Sequence, residues 1–145
     1  MKKTLLIITC LLFCFKAYTQ SLTFKDLLYL KKQPTAKDFL TAKGFIHSDL
    51  NADIMEVYFK NEGTDRQEKA EFNLHKNKAY VSYSSTDTTY IRTIITQLYK
   101  QYRLILKDQS ARETYYRFGD LNINIIVDVY KSPPPNGRIT VGPLD

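Results

Sequence analysis

Two long tracts of this chain alternate apolar and polar residues with a period of two, and one stretch between them repeats every three to four. The first tract holds Ile54–Lys60 (IMEVYFK), Glu68–His75 (EKAEFNLH) and Lys78–Ser84 (KAYVSYS). The second holds Arg103–Asp108, Glu113–Phe118 and Leu121–Lys131. Successive side chains of a strand point to opposite faces, so this alternation describes half-buried strands of an antiparallel sheet. In the last of them Leu121, Ile123, Ile125, Val127 and Val129 share one face, opposite Asn122, Asn124 and Asp128. Between the tracts, Ile91, Ile94, Ile95, Leu98 and Tyr102 fall on one side of a helix that begins after a cap at Ser85–Thr88. The fold expected is α+β, an antiparallel sheet with a central helix packed on it. Asn61-Glu62-Gly63 and Lys76-Asn77 read as turns, as does Pro133-Pro134-Pro135-Asn136-Gly137. Arg138–Val141 then reads as a final edge strand.

Two short helices precede the sheet. Thr23 with Asp26 has the spacing of a capping box, Phe24, Leu27, Leu28 and Lys31 follow at helical intervals, and Pro34 ends the element. Thr35 with Asp38 repeats the device for a helix over Ala36–Lys43. Gly44 supplies the left-handed residue after it, and Phe45 is placed to pack back on Leu40. Phe45–Ser48 forms a short first strand.

The first nineteen residues belong to a different problem. Lys2 and Lys3 precede an apolar run, Leu5–Phe15, and Ala17-Tyr18-Thr19 puts small residues at −3 and −1 of a cleavage site before Gln20. This is the layout of a secretory signal peptide, too short to span a bilayer. The expected mature chain is a single α+β domain over 20–145, exported to the periplasm or beyond. Cleavage removes Lys2, Lys3 and Lys16 and lowers the formal net charge from +6 to +3, too little and too dispersed for a nucleic-acid footprint. Cleavage also removes Cys10 and Cys14. Cys14 follows Phe13 where lipoprotein processing requires a small residue, Cys10 leaves only a short apolar run before it, and the mature chain can form no disulfide or thiolate site. No cofactor is expected.

An offset of 57 residues aligns Glu56-Val57-Tyr58-Phe59-Lys60 with Glu113-Thr114-Tyr115-Tyr116-Arg117, and Lys43-Gly44-Phe45 with Lys100-Gln101-Tyr102. Shortened by ten residues, the same comparison sets Tyr83-Ser84-Ser85 on Tyr130-Lys131-Ser132. Repeats over 35–85 and 86–132 would each read helix, strand, strand, strand. The signal peptide ending before Gln, the helix closed by Lys43-Gly44-Phe45 and the tyrosine-bearing strands resemble small exported proteins of Bacteroidota-type bacteria. In topology the layout is similar to the tandem helix–sheet repeats of the secreted β-lactamase inhibitor proteins. Neither resemblance carries over a catalytic residue.

Catalytic patterns are weak. Asp49-Leu50-Asn51-Ala52-Asp53 begins like a calcium loop but has Ile54 and Lys60 where such loops need glycine and a bidentate acid. His47 and His75 lack metal-ligand spacing. Ser82, Ser84 and Ser85 have no nucleophile elbow around them. Glu56 and Glu113, aligned by the offset, could form a carboxylate pair for glycoside chemistry, and an enzyme of unrecognised type would use His47 or His75 with strand carboxylates.

The tyrosines point elsewhere. Ten of the eleven lie beyond the leader, and tyrosine supplies the rigid, amphipathic surface favoured at interfaces. The expected function is a non-enzymatic module that binds a protein or envelope component through a tyrosine-rich sheet face, with Tyr58, Tyr115, Tyr83 and Tyr130 as binding residues. Phe59 is expected in the core, which turns Tyr58 outward, and the repeat transfers that choice to Tyr115. A periplasmic inhibitor or immunity protein is the alternative.

Overall fold

A computed structural model describes residues 21–48, 55–73, 80–120, 123–131 and 136–142. Residues 1–20, the Asp49–Asp53 segment, His75 and the three consecutive prolines lie outside the described residues. Helices α1 (Phe24–Leu30) and α2 (Lys37–Ala42) precede strands β1 (Ile46–Ser48), β2 (Met55–Lys60), β3 (Glu68–Asn73) and β4 (Val81–Ser85). Helix α3 (Thr88–Gln101) precedes β5 (Arg103–Gln109), β6 (Glu113–Gly119), β7 (Asn124–Tyr130) and β8 (Asn136–Gly142). The eight strands form one antiparallel sheet in the order β1-β2-β3-β4-β8-β7-β6-β5. The fold is thus mixed α+β, with more of its described residues in strands than in helices.

Local chemistry explains the helix ends. Thr23 Oγ1 accepts from the Asp26 amide at 3.2 Å and Asp26 Oδ2 accepts from the Thr23 amide at 2.8 Å, closing the box at the start of α1. The second box does not form: the N-cap of α2 is Ala36, with no side-chain cap, and the Thr35 hydroxyl accepts only a 3.3 Å bond from the Lys37 amide. At its other end, Gly44 takes φ 83° while the Phe45 amide reaches the Leu40 carbonyl at 3.0 Å and the Gly44 amide reaches that of Thr41 at 2.9 Å. These two bonds satisfy carbonyls the helix would otherwise leave open. Asp87 caps α3, accepting from the Tyr90 amide at 3.0 Å.

All three helices share one face of the sheet. Ile91, Ile94, Ile95 and Leu98 of α3 are buried in one core with Phe118, Ile125, Val127, Val129, Ile139 and Val141. Gly137 lets α3 come close: a Cβ there would meet Ile91 Cγ1 at 2.8 Å. On the other half Leu22, Phe24, Leu27, Leu30, Leu40 and Phe45 continue the core.

Two expectations are corrected here. β8 is no edge strand. It lies mid-sheet, pairing with β4 through Tyr83↔Ile139 and with β7 through Val127↔Ile139, because Ile139 and Val141 need apolar neighbours on both sides. Tyr58 and Tyr83 are not outward residues either; both are fully buried against the helices. Directly opposed residues of an antiparallel pair share a face, so the row His47–Tyr58–Ala70–Tyr83–Ile139–Val127–Tyr116 runs across the helix side. Phe59 belongs to the adjacent row, Phe59–Lys69–Ser84–Arg138–Asp128–Tyr115, on the other side.

The strand order is symmetric about the β4–β8 junction, each half being a helix followed by a four-stranded meander. Counted outward from that junction in chain order, Tyr58 corresponds to Tyr116 and Phe59 to Arg117. The offset of 57 pairs residues of opposite faces, an error of one position that reverses every side chain. Tyr83 and Tyr130 do not correspond at all, since β4 is the fourth strand of its half and β7 the third.

Candidate functional site

The helix-free side of the sheet is the surface that the three helices leave uncovered. β2 presents Met55, Val57 and Phe59 there; β3 presents Lys69, Glu71 and Asn73. β6 presents Glu113, Tyr115 and Arg117, and β7 presents Asn124, Ile126, Asp128 and Tyr130. Tyr115 and Tyr130 are half-buried, as are Phe59, Tyr80 and Ile126, so their rings and side chains lie in the surface rather than projecting from it.

Polar contacts run across this surface. Arg138 donates from Nε and Nη2 to Asp128 Oδ2 at 3.3 and 3.1 Å across the β7–β8 pair. Arg117 Nε donates to Asn124 Oδ1 at 3.0 Å, and the Ser82 and Thr140 hydroxyls share a 2.6 Å bond. Lys69 and Glu71 form an ion pair on β3. The Tyr80 hydroxyl donates to Met55 Sδ at 3.5 Å. The cations Lys69, Arg117 and Arg138 are balanced by Glu71, Glu113 and Asp128, so this face carries no net field for a polyanion or an anionic lipid. Partial burial, followed by the charge of Asp128, raises the pKa of Tyr130 and keeps its hydroxyl protonated as a donor.

Of the four tyrosines expected to bind, Tyr115 and Tyr130 lie on this face and Tyr58 and Tyr83 lie beneath the helices. The hydroxyls of the buried two are engaged internally. Tyr58 donates to Glu56 Oε2 at 2.7 Å and Tyr83 donates to Glu68 Oε2 at 2.6 Å. Burial first, then these carboxylate bonds, push both hydroxyls well above the ordinary tyrosine pKa. The sequence reading overlooked Phe59, Tyr80 and Ile126. For Phe59 the signal was strand parity, read one position out; for Ile126 it was the alternation of Asn124 and Asp128, which places it on this face.

Among the described residues the catalytic alternatives are not brought together. Glu56 and Glu113 stand on opposite faces, on strands separated by four others, roughly 24 Å apart at the usual strand spacing. Glycoside chemistry needs its two carboxyls within about 10 Å. His47 packs edge-on against Tyr58 with ring centroids 4.9 Å apart. Ser85 Oγ accepts from the Asp87 amide at 3.1 Å, a structural role. Among the described residues no group of three or more His, Cys, Asp or Glu could hold a metal ion. A polar concavity of about 790 Å³ opens beside the β2–β3 turn, with Asp65, Arg66, Glu68 and Asp87 on its walls. Its most buried carboxylate, Glu68, is the one already bonded to Tyr83.

No helix among the described residues is long and apolar enough to cross a membrane. Comparison with protein-family models, with curated proteins and with solved structures finds no match to the chain.

Proposed function

We infer that this protein is an exported, non-enzymatic binding module whose partner is a protein docked on the helix-free face of the sheet. One observation carries the reading: a face running across all eight strands is left uncovered by the helices, yet bears half-buried aromatics at Phe59, Tyr80, Tyr115 and Tyr130 within a charge-balanced frame. A protein interface has the same make-up, with aromatic and Arg anchors inside and charge confined to paired groups. The leader supports a periplasmic or extracellular location, where protein and envelope components are the available partners.

The symmetric strand order supports a second, finer reading, that the halves are a tandem helix–sheet repeat whose second unit extends past residue 132 to include β8. Such a repeat doubles the width of a recognition face, which suits the inhibitor or immunity alternative.

Affinity capture from an envelope fraction tests the function. Wild-type protein is expected to retain a stoichiometric protein partner, and Tyr115→Ala with Tyr130→Ala to lose it at unchanged melting temperature. Retention by that double variant places recognition elsewhere. A captured partner that is itself a hydrolase or toxin selects the inhibitor.

A further inference from the structure

The β5 edge carries an inference of its own. β5 ends the sheet, and six of its seven residues are exposed, including Ile105 and Leu106 at 51% each. Long apolar edges invite pairing with another chain, and proteins usually blunt them with a bulge or charge. β5 has a bulge: Leu104 opposes Phe118 and Leu106 opposes Arg117, leaving Ile105 as the extra residue.

That bulge gives the strand an unusual symmetry. Leu104 and Lys107 face the helix side, opposite Phe118 and Tyr116, and Lys107 Nζ lies 5.5 Å from the centre of the Tyr116 ring. Arg103, Leu106 and Asp108 face the helix-free side, opposite Gly119, Arg117 and Tyr115. Ile105 reaches that side too, since a Cβ on Gly119 would meet its Cδ1 at 3.2 Å. The order of faces from Arg103 to Asp108 therefore reads the same in both directions about the Ile105–Leu106 bond.

We propose that two copies of this chain pair antiparallel through β5, about a two-fold axis normal to the sheet at that bond. Such an axis keeps each face of one copy continuous with the same face of the other. Arg103 then stands opposite Asp108 of the second copy at both ends, Ile105 opposite Leu106 in the middle, and Leu104 opposite Lys107 between them. Every pair shares a face, the charges are opposite, and the exposed apolar residues cover one another. A slip of one residue either way sets Ile105 opposite Lys107 or Leu104 opposite Leu106, residues of opposite faces. The bulge that would blunt the edge against other strands instead fixes one register with its own copy.

Sedimentation equilibrium on the processed protein is expected to show a dimer. Arg103→Asp sets like charges opposite one another at both ends, as does Asp108→Arg. Each is expected to weaken dimerisation about tenfold. Mixing the two single variants restores opposite charges at both contacts and is expected to recover dimers, which no merely structural role of either residue would do. Leu106→Lys, another exposed position, is expected to give a monomer that keeps the wild-type circular-dichroism spectrum. A wild-type monomer overturns the proposal. So does a dimer indifferent to both charge changes, or a mixture that stays as weak as its components.

Discussion

The Tyr83 hydroxyl donates to Glu68 at 2.6 Å between neighbouring strands, in a site where Glu68 is 5% exposed and Tyr83 fully buried. A carboxylate so enclosed depends on its donor. Tyr83→Phe removes the donor while keeping the ring, and is expected to cost about 1–3 kcal/mol in a denaturant titration, the usual penalty for leaving a buried acceptor unpaired. A loss below about 0.5 kcal/mol would place that bond among ordinary surface contacts.

The same tyrosines set the response to alkali. Burial, with the Asp26 and Glu68 charges adding to it, pushes Tyr90 up to about 12, and Tyr58 and Tyr83 are raised further in the same direction. Above pH 10 the unfolded chain loses these protons while the folded chain keeps them, so the folded state binds more protons and stability falls as pH rises. The stabilisation is complete below pH 10 and is lost from there upward through the folded pKa values. Denaturation midpoints measured from pH 8 to 12 are expected to be flat at first and then to drop. The drop should be shallower in Tyr83→Phe; equal slopes in the two proteins would mean that Tyr83 titrates normally.

Close packing of α3 on β8 gives a paired test. Ile91→Ala is expected to cost about 2–5 kcal/mol. Gly137→Ala is expected to cost about 1–3 kcal/mol, because its Cβ would press on Ile91. Together they should cost less than the sum, since the shortened side chain makes room for the added methyl. Strict additivity would show that the two do not touch.

Tyrosine position separates binding from folding. Tyr58→Ala empties a fully buried site and is expected to destabilise by about 3–5 kcal/mol, comparable with other large aromatic truncations in a core. Tyr115→Ala, on the helix-free face, should leave the melting temperature nearly unchanged and weaken partner binding instead. Reversal of this order would exchange the two faces.

Export is checked by mass. The exported protein is expected to begin at Gln20, as free glutamine or its pyroglutamyl form. An intact Met1, or lipid on Cys14, would remove the leader reading.

What the sequence made legible was local. The helical stripe at Ile91, Ile94, Ile95 and Leu98 is buried, and the glycine stop at Gly44 adopts its positive φ, because both depend on residues within a few positions of each other. Strand faces were harder. Phe59 is the more apolar member of its pair, yet Tyr58 turns inward because its ring joins Ala70 and Tyr83 while its hydroxyl reaches Glu56. Apolarity alone could not weigh that hydroxyl. β8 is a related case: Arg138 and Thr140 would suit an edge strand, yet they meet Asp128 and Ser82 across the sheet. Those partners are distant in sequence, and no local pattern announces them.

The mid-sheet position of β8 also bears on when folding can finish. β8 follows the seven other strands in chain order, and the two halves meet through it. Until Asn136–Gly142 has left the ribosome, β4 and β7 lack their shared neighbour, and the contacts that close the sheet span more than fifty residues. Such non-local closure is slow. A nascent chain of this design cannot join its two half-sheets before the last described strand emerges.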